Sequence, residues 1–202
     1  MARSLRTAGC VAAASVFAAT LTAQEVPRFG LGTGLAMPVG NYHSAARGEG
    51  FNTALQAMGL VAFKPRMIPA VVRVDITYGT NDGNDQLNGD LTTAIGKPAR
   101  EQSKLLGANV DLVYPAASAA HLQPYLLGGI GVYHTTITVT AGDSSASDAQ
   151  TKLAWNVGGG INYGLRAVTV FLEARYVNVA AVTGFPRATI LPITAGLRLG
   201  GR

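Results

Sequence analysis

The sequence predicts an all-β fold, an eight-stranded antiparallel up-and-down transmembrane β-barrel. Three observations predict it. Segments of about ten residues alternate apolar with small or polar side chains, the period of a strand whose two faces meet different surroundings. The connections between those segments alternate short and long. Aromatic residues collect at both ends of the apolar face. A strand in hydrocarbon must pair every backbone group with a neighbour, so such a sheet has to close on itself.

The strands are expected at residues 28–39, 53–63, 70–78, 103–114, 122–136, 152–163, 168–178 and 190–200. In the first, Phe29, Leu31 and Leu35 share one face, and Gly30, Gly32 and Gly34 the other. The second sets Leu55, Val61 and Phe63 against Gln56. The third sets Val72, Val74 and Ile76 against Arg73 and Asp75, and the fourth sets Leu112 against Asn109 and Asp111. Leu126, Ile130 and Val132 oppose Gln123 in the fifth; Val157 and Ile161 oppose Asn156 and Asn162 in the sixth. The seventh pairs Val170 and Leu172 with an opposite face of Glu173 and Arg175. The eighth alternates plainly: Ile193, Ala195, Leu197 and Leu199 on one side, Pro192, Thr194, Gly196, Arg198 and Gly200 on the other.

Connections 64–69, 115–121 and 164–167 are short. Connections 40–52, 79–102, 137–151 and 179–189 are longer and more polar. Three short and four long connections match a barrel with periplasmic turns and external loops. The aromatic girdles follow the same geometry. Phe29, Phe63, Tyr114 and Tyr163 lie at the short-turn ends of the apolar face, and Tyr78, Trp155 and Tyr176 at the opposite ends. Aromatic rings of this kind mark the two interfaces of a bilayer.

Composition agrees. Charged residues make up 13% of the 202 residues and hydrophobic ones 48%, against about 25% charged in ordinary soluble domains. A soluble barrel would wet its polar face with Lys and Glu. Here that face is Gly, Asn and a few charges of both signs, which suits a narrow, filled lumen.

Residues 1–23 read as a secretory signal peptide, with Arg3 and Arg6, an apolar run over 8–19 and a small residue at Ala23. The apolar run is shorter than the roughly 20 residues of a membrane helix. The barrel domain is then 24–202. Cys10 is the single cysteine and falls in the leader, so disulfides and thiol catalysis are not expected of the mature chain. The formal net charge is +5, of which Arg3 and Arg6 supply two. The remaining basic residues are dispersed and form no stripe interleaved with aromatics, so no nucleic-acid partner is expected.

Four segments carry a family resemblance: Pro124-Tyr125-Leu126-Leu127-Gly128-Gly129-Ile130-Gly131, Ala154-Trp155-Asn156-Val157-Gly158-Gly159-Gly160, Phe171-Leu172-Glu173-Ala174-Arg175-Tyr176 and Leu191-Pro192-Ile193-Thr194-Ala195-Gly196-Leu197-Arg198-Leu199. In this order they resemble the last four strands of small outer-membrane barrels of the OmpA/OmpX-like type. The resemblance implies the bacterial outer membrane, contact with its lipid and lipopolysaccharide, and insertion by the barrel-assembly machinery. It also implies a non-enzymatic structural or surface-interaction role through external loops, of which 79–102 is the longest and the first candidate for an extracellular ligand. The chain departs from the family's usual aromatic last residue, ending Leu199-Gly200-Gly201-Arg202, which leaves that part of the assembly signal incomplete.

Six charges are expected in the lumen: Arg73, Asp75, Asp111, Glu173, Arg175 and Arg198. In a dry interior they must pair. They form either a plug or the gate of a narrow pore, and the plug is the expectation for eight strands. No catalytic residue is assigned. His134 with Thr136, and His43 with Ser44, fall near the outer rim, where lipid A-modifying enzymes keep a base and a hydroxyl. No acid is placed beside them to complete a triad. Asn81, Asp82, Asn84, Asp85 and Asp90 offer hard oxygens, yet not at calcium-loop spacing, and read as a solvated loop. No cofactor or metal is expected. Gly158-Gly159-Gly160 lies within a strand with no following helix, so it is no phosphate loop.

Overall fold

The computed structural model describes residues 28–44, 50–116, 121–182 and 187–199. The proposed leader and the terminal residues 200–202 lie outside them. Eight strands follow one another around a closed barrel, each antiparallel to its neighbours: β1 (Arg28–Pro38), β2 (Ala54–Phe63), β3 (Val71–Asp82), β4 (Ala99–Pro115), β5 (Leu122–Ala141), β6 (Ser144–Leu165), β7 (Val168–Val179) and β8 (Ala188–Leu199). Closure is made by β1 on β8, with Phe29 opposite Leu199 and Leu35 opposite Ile193.

Face assignment follows from the alternation. Leu31, Leu55, Ile76, Leu112, Leu126, Ile130, Val157 and Leu172 project outward and are exposed, while Gln56, Arg73, Asp75, Asn109, Asp111, Asn156 and Glu173 point in and are buried. Such an inverted pattern is stable only where the outer surroundings are apolar. Aromatic residues lie on the outside toward both ends of the barrel. Phe29, Tyr114 and Tyr163 lie toward the short turns, with Phe63 half-buried beside them. Tyr78, Trp155 and Tyr176 lie toward the other end, with the Trp155 and Tyr176 ring centroids 5.6 Å apart.

Two expected loops are not loops. The connection 79–102 contains the end of β3, a helix α1 (Asp85–Ile95) and the start of β4. Asn84 caps α1 by accepting from the Leu87 amide, and Gly96 closes it in the left-handed region at φ 72°. The connection 137–151 is a hairpin that continues β5 and β6 beyond the barrel wall, turning at Gly142 and Asp143. These strands reach 20 and 22 residues, whereas β1 and β2 have 11 and 10. Among the described residues the outer side is therefore dominated by a lopsided sheet.

The core lies inside the barrel. Met58, Leu60, Ala62 and Phe171 form one apolar cluster, and Val113, Tyr125 and Leu127 another, both toward the short turns. A third, including Tyr42, Phe51, Leu87, Leu105 and Val177, fills the outer half.

Candidate functional site

Three of the eight strands, β3, β4 and β7, supply the charged waist of the lumen. Residues two apart on a strand share a face, so Arg73 and Asp75 on β3 both point inward, as do Glu173 and Arg175 on β7. Register places Asp111 on β4 directly opposite Arg73. Small residues make the room. Gly129 pairs with Asp111, Gly131 with Asn109, Gly158 with Arg175 and Gly160 with Glu173. At Gly129 a Cβ would fall against the Asp111 carboxylate and the Val110 carbonyl, so the position requires glycine for close approach.

Two guanidiniums and three carboxylates meet there, with side chains 0–5% exposed. Arg73 donates to Glu173 at 2.7 and 3.1 Å and to Asp111 at 3.2 Å, and its Nε stands 3.3 Å from Asp75. Arg175 donates to Asp75 at 2.8 Å, stands 3.0 Å from Asp111 and bonds Glu173 through Nε. Amides and a phenol complete the shell. Asn109 donates to Asp75 at 3.0 Å, Asn156 to Asp111 at 2.8 Å, and the Tyr125 hydroxyl to Glu173 at 2.7 Å. Buried ions persist only when paired and hydrogen-bonded in this way. The arrangement cross-links strands on opposite walls and fills the waist.

Five of the six charges named from sequence meet. Arg198 does not. It lies nearer the short turns with Arg28, Gln123 and Asn162, beyond Tyr125, and enters no ion pair among the described residues. Tyr125 was legible by parity, since it shares the inward face of Gln123. Its role as a donor to Glu173 depends on register and was not.

On the outer side, α1 lies along β4 where β3 has ended. Asn88 Oδ1 accepts from the Glu101 amide and Thr92 Oγ1 from the Ala99 amide, each at 3.0 Å. Helix side chains thus satisfy a strand edge. The other edge of the protruding sheet is different. β6 pairs with β7 only from Ala154 onward, and residues 144–150 are exposed, with no strand along their outer edge among the described residues. Burial beside α1 raises the Glu101 carboxyl above its ordinary range.

The rim hydroxyl and imidazole candidates do not assemble a triad. His134 is exposed and its Nδ1 lies 3.1 Å from the Thr151 hydroxyl, while Thr136 stands opposite Lys104 and Ala149. His43 ends a 3-10 turn at 40–42. Of the oxygen-rich segment, Asp82 accepts from Gln102 and Asn84 caps α1.

A closed eight-stranded barrel with an apolar outer wall, two aromatic girdles and an ion-paired lumen is a bacterial outer-membrane β-barrel. The chain belongs to the outer membrane protein beta-barrel domain family, whose model matches residues 8–197. No curated protein sequence matches it. Its fold is similar to that of Neisserial surface protein A (TM-score 0.61, 15% identity, covering 88% of this chain and 98% of that one). It is also similar to a major outer membrane protein of Thermus thermophilus (0.59, 11%, 87% and 99%). A third neighbour is Ail, the attachment invasion locus protein of Yersinia pestis, solved with the heparin analogue sucrose octasulfate (0.53, 12%, 86% and 97%).

Proposed function

We propose that this protein is a non-enzymatic surface-interaction barrel, plugged by its lumen charges, whose contacts are made by the extracellular sheet. One observation carries the reading: the open edge of β6 over 144–150. A strand edge offers unpaired amides and carbonyls to any extended segment. Proteins blunt such edges with charged side chains, Lys above all, or Pro; Ser144-Ser145-Ala146-Ser147-Asp148-Ala149-Gln150 carries no Lys or Pro and one charge, Asp148, which accepts from the Ala149 amide at 2.8 Å. The β4 edge, by contrast, is covered by α1. The partner that fits is an extended polypeptide segment.

The filled waist supports a plug over a pore, because the two guanidiniums would have to leave three carboxylates to open it. Lys104 and Arg100 share the outward face of β4 above Leu106, the height at which lipopolysaccharide phosphates would meet them. Sulfated-glycan binding of the kind seen with Ail is not favoured. The described outer segments carry Asp82, Asp85, Asp90, Glu101, Asp143 and Asp148 alongside their few cations. Barrel-assembly machinery remains the expected partner during insertion.

The test compares cells expressing the protein with cells expressing Ser145→Lys/Ser147→Lys, for adhesion to surfaces coated with serum or matrix proteins. Loss of adhesion to the level of cells lacking the barrel is expected. Equal adhesion by the variant refutes the edge as the contact, and conductance steps from the purified protein in a planar bilayer refute the plug.

A further inference from the structure

We propose that the short-turn mouth of the barrel is a binding site for a phosphate-class oxyanion. A recess of about 170 Å³ opens there, and its polar lining is Arg28, Lys64, Gln123, Tyr125, Asn162 and Arg198. Three of those side chains are cationic, and no carboxylate lines the recess among the described residues. Drug-sized ligands occupy pockets of about 300–1,000 Å³, so this volume suits a small ion.

The nearest lumen acid is already engaged. Glu173 is the carboxylate on the inner side of the Tyr125 layer, and its oxygens accept from Arg73, Arg175 and Tyr125. The Tyr125 hydroxyl is engaged too, donating to Glu173 at 2.7 Å. Arg198 Nε is buried without a hydrogen-bond partner, and so is Asn162 Oδ1. A buried donor left unmade is costly, and guanidinium groups match oxyanions well. Arg28 and Arg198 are diagonal neighbours across β1 and β8, since Gly30 faces Arg198. An acid phosphate meets both orphans: its oxygens accept from Arg198 and its P–O–H donates to Asn162 Oδ1. The described short connections add Arg66, His121 and Arg166 and no acid, so the whole end attracts anions.

The source is either a soluble phosphate or the headgroup of an anionic phospholipid in the inner leaflet. The experiment uses the folded, unboiled protein in dodecyl maltoside, which contains no phosphate. Inorganic phosphate is titrated and its ³¹P line width followed. Saturable broadening is expected, weakened about tenfold or more in Arg198→Gln, which loses one charge-assisted contact. Lys97→Gln, an exposed position at the other end, keeps the wild-type curve. Absence of saturable broadening, or an unchanged curve in Arg198→Gln, overturns the proposal. If Arg198→Gln does not fold, Arg28→Gln makes the same test. Repeating the titration in phosphatidylglycerol nanodiscs assigns the source. Competition identifies the headgroup as occupant, whereas an unchanged curve identifies the soluble ion, and both uphold the site.

Discussion

Arg73→Ala removes one guanidinium from a site that holds two. Arg73 contacts Glu173, Asp111 and Asp75 at 2.7 to 3.3 Å with 2% of its side chain exposed. Without it, three buried carboxylates share Arg175 alone. Removing one partner of a buried ion pair costs about 3–5 kcal/mol, and because this cation serves three acids the expected loss is about 5 kcal/mol. The isosteric change Asp75→Asn acts in the opposite sense. It equalises the charges at two and two and keeps an oxygen for Arg175. The new N–H replaces the oxygen that accepts from Asn109 Nδ2, so the Asn109 amide must flip to present its unpartnered Oδ1. Its cost should stay below about 1.5 kcal/mol, the net worth of one ordinary hydrogen bond. Arg73→Lys, which keeps charge and loses the forked geometry, falls between them. Urea unfolding in detergent reads all three. The single tryptophan, Trp155, sits on the outer girdle, so its emission reports loss of the barrel, and gel mobility of unboiled samples reports the same event. If Arg73→Ala unfolds within about 1 kcal/mol of wild type, or Asp75→Asn costs as much as Arg73→Ala, the charge-count reasoning drawn from buried pairs is wrong.

Three further outcomes rest on the surroundings of single residues. The Glu101 carboxyl is raised in the folded state, so its neutral form favours folding. The stability it contributes is present in full below the unfolded carboxylate value and is lost as pH rises through the higher folded one. Protection factors of the Ala99 and Glu101 amides should therefore fall with rising pH, and Glu101→Gln should abolish that fall; persistence of the step in the variant assigns it elsewhere. Gly129→Ala should destabilise the barrel by about 1–3 kcal/mol through overpacking, because its Cβ meets the Asp111 carboxylate and a backbone carbonyl. Gly89→Ala on α1, where a Cβ meets nothing within 4 Å, should instead stabilise by up to about 1 kcal/mol, both measured by the same urea midpoints.

The barrel was legible because lipid and lumen impose opposite chemistry on alternate residues, and that alternation survives in every strand from Phe29 to Leu199. Helix α1 was written locally as well, in Asn84 before it, Gly96 after it and Leu87, Leu91 and Ile95 at spacing four. It was masked because Asn88, Gly89, Thr92 and Thr93 are poor helix formers. Two of them are there for another purpose: Asn88 and Thr92 bond the β4 edge, a contact no local pattern encodes. The hairpin 137–151 was hidden for a related reason. Outside the membrane neither face is buried, so the alternation of Ile137 and Val139 with Thr138 and Thr140 ends after four residues, the Ser- and Ala-rich arm 144–150 has no contrast, and only the ladder to its partner strand reveals the β structure. Within the lumen, parity says which charges point inward and register says which of them touch. Arg198 shares the parity of the cluster and stands one layer too far toward the short turns to join it. Glycines make room for this layer without choosing its members. Asp111, Arg175 and Glu173 each face a glycine across one strand pair, and Arg73 faces Ala62 and Asp111. Arg198 lies between Gly30 on β1 and Thr169 on β7, the same setting as Glu173 between Gly160 and Thr194. Its height along the barrel, and not the room its neighbours leave, therefore keeps it out of the cluster and in the recess it shares with Arg28.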